Sequence, residues 1–258
     1  MGELCLHHEG AKRLIIWDIN EEALYQTADE LSEGGYEVLT YVVDVSDPAA
    51  IEKTAQQVLS EVGTVDILFN NAGIVVGKKF EEHSHSEIEK TIQINVLALM
   101  HLTRELLPAM IEQGSGHIIN IASAAGMVAN PKMSVYAGSK WAVIGWSDSL
   151  RLEMEALKKD VHVTTVMPSY IKTGMFEGAK APLLTPFLEP DEISKRIIKA
   201  VKNNETELKA PYIVNFIPLL KGVLPKTLFD GVADVLGVYN SMEDFKGHDS
   251  KALKDKRK

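Results

Sequence analysis

Residues 13–45 read RLIIWDINEEALYQTADELSEGGYEVLTYVVDV, and this stretch decides the fold. Arg13 to Trp17 is a short apolar run of strand length that closes on an acid, Asp18. A helical pattern follows from Asn20 and is closed by Gly34 and Gly35, after which EVLTYVVDV returns as a second strand. Strand, helix and strand in that order predict a βαβ unit, because parallel neighbours need a long crossover.

The rhythm continues outward. Asp47 and Pro48 supply a cap and a first helical position for PAAIEKTAQQVLSEVG. VDILFNNAG is a strand running into a turn, and residues 86–112 form a long helix that stops at Gln113-Gly114. GHIINIAS reads as a buried strand, SVYAGSKWAVIGWSDSLRLEMEAL as a second long helix, and HVTTVMPS as a further strand. The expected fold is α/β: one doubly wound, Rossmann-like, mostly parallel sheet in a single domain over 1–258. Residues 1–169 would form its core, 170–245 a substrate-side region over the functional edge, and 246–258 a flexible tail.

Composition narrows the partners. The chain has 258 residues, 45% of them hydrophobic, with a formal charge of −9 and a pI near 5.4. That balance argues against a nucleic-acid partner, since the basic run KALKDKRK is confined to the C-terminus. Cys5 has no internal partner and no secretory signal precedes it, so a reducing cytoplasm is the expected compartment. No run of eighteen apolar residues predicts a transmembrane segment. His7 and His8 are adjacent rather than four apart, and no metal site is expected.

The chemistry centres on YAGSK, Tyr136 to Lys140. A spacing of four places both side chains on one helical face, where an ammonium beside a phenol favours the phenolate. Ser123 ends GHIINIAS at the carboxyl edge of the sheet, where open α/β sheets bind ligands. Asn95 lies among apolar residues in IQINVLAL and needs a partner if buried. NNAG, Asn70 to Gly73, ends a strand with small residues that let backbone approach a ligand. A helix-face pair, a strand-end cap, a satisfied core amide and an ordinary turn are the plain alternatives for these features. Their shared order is what needs a common cause.

In that order the set resembles the short-chain dehydrogenase/reductase family, from the start of the chain to about residue 175. The resemblance implies a nicotinamide cofactor and hydride transfer between it and an alcohol or carbonyl carbon. Tyr136 would be the general acid-base, Lys140 would hold the nicotinamide ribose and lower the tyrosine pKa, and Ser123 would bind the substrate oxygen. Asn95 would support a water in the proton relay. Asn71, Ala72 and Gly73 would line the cofactor, and Asp44-Val45 would flank its adenine. In PSYIKTG, Pro168, Ile171 and Thr173 match the family's cofactor loop, with Ser169 where glycine is more usual. Asp18 at the second strand's end would accept the adenosine ribose hydroxyls and repel a 2′-phosphate, which favours NAD over NADP. The long helices bearing Asn95 and Tyr136 are the family's usual subunit contacts, so a homodimer or homotetramer is expected.

Substrate choice falls to APYIVNFIPLLKGVLPKTLFDGVADVLGV, apolar and broken by Pro211, Pro218 and Pro225 into short pieces. It reads either as packing or subunit contact, or as an apolar lid or interfacial surface. With WDIN and PSYIKTG it looks like the retinol dehydrogenase and 17β-hydroxysteroid dehydrogenase branch associated with membranes and lipid droplets. That implies a retinoid, steroid or long-chain alcohol substrate and contact with a membrane or lipid-droplet surface.

One family element has no counterpart: the first, central strand and its T-G-x-x-x-G-x-G loop. MGELCLHHEG aligns instead with the helix that should follow that loop, with Met1 to His8 as its body. Without that strand its neighbours would either expose unpaired backbone or close up directly, and the pyrophosphate would lose its cradle. Three expectations stand together: a dehydrogenase whose opening residues are absent from this chain, a truncated non-catalytic isoform, or a site rebuilt from another segment. Weak or absent NAD binding is expected of the chain as given.

Overall fold

The computed structural model describes residues 10–33 and 35–247. The helix expected over Met1 to His8 and most of the expected tail lie outside them. The first strand, β1 (Arg13–Asp18), leads into α1 (Glu21–Ser32), whose amide at Ala23 is capped by the Asn20 side chain at 3.2 Å. Then come β2 (Glu37–Val42) and α2 (Pro48–Glu61), capped as expected by Asp47, which accepts from Ala49 N at 2.9 Å. β3 (Ile67–Asn70), α3 (His85–Ile92), α4 (Ala98–Gln113), β4 (Ser115–Ile121), α5 (Ser134–Leu157) and β5 (Asp160–Pro168) follow. Gly114, in the left-handed region at φ 86°, ends α4 where the sequence placed its stop.

All paired strands are parallel, but they form two sheets: β1–β2, and β3–β4–β5–β6 with β6 at Glu207–Ala210. The fold is Rossmann-like α/β with a break between β1 and β3, where a central strand was expected to be missing. Of the two outcomes weighed from the sequence, closing up does not occur. No backbone hydrogen bond joins β1 to β3 among the described residues, so one edge of each strand lacks a strand partner. Side chains bridge the break instead. Trp17 of β1 packs on the apolar cluster that holds Leu68 of β3, Ala55 of α2, Met110 of α4 and Ile118 of β4.

Two features depart from the sequence reading. First, the helix expected over 86–112 is continuous from His85 to Gln113 but contains a π turn at Gln93–Leu97. That helix is long and apolar enough to cross a membrane by length and composition alone, a test that core helices also pass. Here Leu99, Leu106 and Met110 of the same helix are core residues. Second, the region beyond residue 170 is more regular than its loosened rhythm suggested. EPDEISKRIIKAVK forms α6 (Pro190–Lys202) with Pro190 opening the helix, and TELKA supplies β6 at the sheet's far edge. The proline-broken stretch does divide into short pieces: a 3₁₀ turn at Tyr212–Phe216, α7 (Ile217–Val223) and α8 (Lys226–Val235).

A buried polar ladder fixes the centre of the four-stranded sheet against its helices. Asn70 Nδ2 donates to Thr103 Oγ1 at 2.9 Å and to Asn120 Oδ1 at 2.8 Å, and Asn120 Nδ2 donates to Ser147 Oγ at 2.9 Å. Amides buried near the carboxyl ends of strands need such partners, and these pairings lock β3, β4, α4 and α5 into one register.

Candidate active site

The four candidate catalytic residues converge at the carboxyl ends of β3, β4 and β5. Tyr136 and Lys140 rise from the first turns of α5 on one face, each only 4% exposed. Ser123 stands two residues beyond β4, where its Oγ accepts from Ala125 N at 3.1 Å and donates to the Pro168 carbonyl at 3.4 Å. That pairing ties the end of β4 to the end of β5 and holds the hydroxyl beside the phenol.

Asn95 sits inside the π turn and is fully buried. Its Oδ1 accepts from Ile74 N at 2.8 Å, while Nδ2 donates to Ile74 O at 2.9 Å and to Ser139 Oγ at 3.0 Å. Both amide protons are therefore spent on protein, and one lone pair of Oδ1 remains for a water. Ser139 in turn donates to the Tyr136 carbonyl at 2.6 Å, so the turn after β3 is linked through Asn95 to the base of the tyrosine. A methyl added at Gly73 would lie 3.4 Å from Asn95 Oδ1 and 3.7 Å from Lys140 Nζ, so this glycine of NNAG stands against both side chains.

The electrostatics differ from the sequence expectation. Burial pushes the Tyr136 phenol up to about 12; the Ser123 hydrogen bond opposes it and Tyr170 adds to it. Burial likewise brings the Lys140 ammonium down to about 8. Lys140 Nζ lies 5.7 Å from the Tyr136 ring centroid and donates to the Ile121 carbonyl at 2.8 Å. Desolvation of the phenolate thus outweighs any help from the ammonium, and the expected lowering of the tyrosine by the lysine is not what governs it here. At neutral pH Tyr136 is a phenol.

Beside Ser123 opens a cleft of about 580 Å³, part of it open to solvent. Val128, Met133, Tyr170, Phe176, Val214 and Ile217 make its walls mostly apolar. Tyr170 and the region beyond it supply half of the lining residues of that wall, and the rest come from Ser123 to Met133 and Ser169. Sequence reasoning missed the polar brace behind it. Asn130 Nδ2 donates to Ser241 Oγ at 2.8 Å and to the Tyr170 hydroxyl at 3.2 Å, and that hydroxyl lies 2.8 Å from Ser241 Oγ. No local pattern could reveal it, since Asn130 and Ser241 are 111 residues apart.

The expected cofactor residues fall into two groups. Pro168, Ile171, Thr173, Tyr136 and Lys140 lie with the four-stranded sheet, where Ile171 is pinned by a bridge to Leu188. Asn71, Ala72 and Gly73 follow β3 directly, and Ser169 Oγ is buried with no partner among the described residues. Asp18 ends β1 and spends one oxygen on Asn20 N at 2.8 Å, and Asp44 and Val45 follow β2. Hydrogen bonds from Ser46 hold the Asp44 carboxyl below the usual range. Exposed acids at one end and a buried phenol, ammonium and unpaired hydroxyl at the other suit the adenosine and nicotinamide ends of a dinucleotide. The chain has no glycine loop to bring amides to the pyrophosphate between them.

A parallel α/β sheet whose carboxyl edge holds Ser, Tyr and Lys at this spacing defines an oxidoreductase of the short-chain dehydrogenase class. A match to the short chain dehydrogenase family covers residues 4–183, and the chain belongs to that family. It is 38% identical over 242 residues to epidermal retinol dehydrogenase 2 of Mus musculus, covering 92% of this chain and 78% of that protein. It is 36% identical over 215 residues to estradiol 17-beta-dehydrogenase 11 of Homo sapiens, covering 83% of this chain and 71% of that one. Among solved structures, a short-chain dehydrogenase/reductase from Burkholderia phymatum in complex with NAD superposes with TM-score 0.72 at 25% identity, covering 81% of this chain and 84% of that one. An alcohol dehydrogenase of Thermococcus sibiricus, complexed with 5-hydroxy-NADP, superposes with TM-score 0.68 at 26% identity, covering 76% and 84%. The family uses NAD(P).

Proposed function

We propose that the protein interconverts a lipophilic alcohol and its carbonyl compound, with NAD preferred over NADP. The observation that carries this reading is Ser123, which lines an apolar cleft, standing beside the buried Tyr136 and Lys140. The relatives named as retinol and estradiol dehydrogenases point to the same substrate class, a hydroxyl on a large apolar skeleton.

The nicotinamide, when bound, accepts or returns the hydride. The chain's own residues handle the oxygen and its proton. Ser123 and Tyr136 grip the substrate oxygen from two sides and so orient the carbon that reacts. As a phenol, Tyr136 is ready to give a proton to an oxygen gaining charge in the reductive direction. In the oxidative direction it must first shed its proton, and the Lys140 ammonium, 5.7 Å from the ring centroid, would favour the phenolate as that proton leaves. The free lone pair of Asn95 Oδ1 would hold the water that carries it onward. Tyr170, Val214 and Ile217 line the cleft and would receive the apolar body of the substrate.

NAD preference rests on Asp18, an exposed carboxylate at the end of β1 that would repel a 2′-phosphate. Contact with a lipid surface rests on the outward faces of α7 and α8. Leu219 and Val223 share one stripe, and Leu228, Val232 and Val235 share another; Val223 is 70% and Val235 85% exposed. The cations on these helices are partnered within the protein, Lys226 with Asp230 and Lys221 with the Met127 carbonyl, so the reading rests on the apolar stripes and not on charge. Steady-state oxidation of retinol, estradiol and a long-chain alcohol with NAD or NADP tests the reaction, and Tyr136→Phe tests its site. Turnover that survives in Tyr136→Phe would overturn the assignment.

A further inference from the structure

The three loops that leave β3, β4 and β5 at the candidate site are fastened together by one short segment, residues 241–247. Its contacts are specific. Ser241 joins Asn130 and Tyr170 through its Oγ, and its carbonyl accepts from Lys180 N at 2.8 Å. The Glu243 carbonyl accepts from Lys132 Nζ at 3.0 Å, and Asp244 pairs with Lys180 at 2.7 Å. Lys246 N donates to the Glu177 carbonyl at 2.9 Å and Gly247 N to the same oxygen at 3.3 Å. The flexible tail expected from residue 246 therefore does not begin there: 246 and 247 are bonded into the fold, and the rest of it lies outside the described residues.

Two glycines are shaped to this segment. A Cβ on Gly77, in the loop after β3, would come within 2.2 Å of the Phe245 ring. A Cβ on Gly178, in the loop after β5, would come within 2.2 Å of the Asp244 carbonyl oxygen. Inside the segment, Met242 is buried in the cluster that contains Tyr136, Tyr170 and Met133, with Phe176 and Phe245 packed against it. Phe176 stands edge-on to the Tyr136 ring, with centroids 6.0 Å apart and planes at 80°, and Phe245 lies 6.5 Å behind Phe176.

We infer that residues 241–247 are a strap over the catalytic tyrosine and that Phe245 is a positioning residue. Seated on Gly77, Phe245 holds Phe176 against Tyr136 and keeps water from the phenol. This rests on the proposed role of Tyr136, but the strap itself is testable without turnover. Lys140 from α5 and Tyr170 from the loop after β5 are the titratable groups facing the phenol. Lys180 and Asp244 pair on the exposed side of the strap.

The test uses the full chain with 3-fluorotyrosine at position 136 alone, in the wild type, Phe245→Ala, Gly77→Ala and Phe245→Leu. The fluorine resonance reports ionisation of that ring as pH is raised. Phe245→Ala removes the wedge and Gly77→Ala evicts it from its seat, so both should lower the titration midpoint by about one pH unit as water reaches the phenol. Phe245→Leu, still apolar, should recover most of that shift. Amide exchange in residues 75–77 and 176–180 should rise together in the first two variants, although the loops are far apart in sequence. A midpoint and exchange pattern unchanged in the two alanine variants, or in Gly77→Ala alone should Phe245→Ala not fold, would overturn the strap. If the wild type oxidises no alcohol, the proposed function fails while the titration still decides this inference. If it does, kcat in Phe245→Ala should drop about tenfold and the pH–rate limb should move with the fluorine midpoint.

Discussion

The two ends of the candidate cofactor site are built very differently. At the proposed nicotinamide end the candidate catalytic groups are buried, and several of their polar atoms are held by the Asn95, Ser139 and Ile121 bonds on a four-stranded sheet. At the adenosine end Asp18 and Asp44 sit exposed on a two-stranded sheet attached to the core by side chains such as Trp17. Precision of chemistry needs the first kind of construction, whereas recognition of a ribose needs only a carboxylate within reach. The candidate catalytic residues are thus brought together without reference to the break between β1 and β3.

The largest expected effect lies at the rigid end. Tyr136→Phe should reduce kcat by roughly 10²–10⁴-fold, since it removes the acid-base group, while far-UV circular dichroism stays unchanged. A variant within a few fold of wild type would move the chemistry elsewhere. Asn95→Ala comes next. Losing the side chain leaves the Ile74 amide and carbonyl and the Ser139 hydroxyl without those partners, and unfolding in urea should show a loss of about 3 kcal/mol, with turnover reduced as well. Equal stability of the variant would mean that the loop after β3 is held by something other than Asn95.

Native-state hydrogen exchange addresses the contrast directly. Amides of β1 and β2 should exchange at least about a hundredfold faster than those of β4 and β5, because the smaller sheet can open without opening the larger. Uniform protection would show that the side-chain bridge couples the two as tightly as backbone bonds would. Asp18→Asn should act on the open end alone, weakening NAD about tenfold and narrowing the preference over NADP, with kcat little changed. A fall in kcat of the same size would tie Asp18 to the chemistry.

The smallest effect is on pH dependence without cofactor. Lys140 titrates near 8 when folded, below its unfolded value, so the folded state sheds a proton that the unfolded chain retains to about 10.4. Stability contributed by this group therefore rises as pH passes 8 and is lowest below it. The melting temperature of the wild type relative to Lys140→Met should climb from pH 7 to pH 9. A flat difference would place the ammonium in a better-solvated setting.

The βαβ rhythm was legible because parallel strands and amphipathic helices impose periods on the sequence, and the candidate site because Tyr136, Lys140 and Asn95 stand in helices and Ser123 just beyond the end of a strand. The break in the sheet was legible as a missing run. Other features were hidden for physical reasons. The π turn at Gln93–Leu97 leaves the apolar pattern of its helix almost undisturbed, yet it carries Asn95 to Ile74. The strap depends on contacts between residues more than sixty apart, such as Gly178 with Asp244 and Gly77 with Phe245, which no local pattern records. The tyrosine's raised pKa follows from burial, a property of the assembled loops rather than of Y-x-x-x-K.

The break between the sheets also bears on how the chain reaches this state. β1, α1 and β2 lie within residues 13–42 and pair with one another, so the smaller sheet closes through contacts short in sequence. The larger sheet cannot be completed until β6 at Glu207–Ala210 has been synthesised. Local pairing is fast and distant pairing slow, so during synthesis the adenosine end should take shape while the catalytic end is still unmade. Refolding followed by pulsed hydrogen exchange should protect β1 and β2 early and weakly, and β4 and β5 late and firmly.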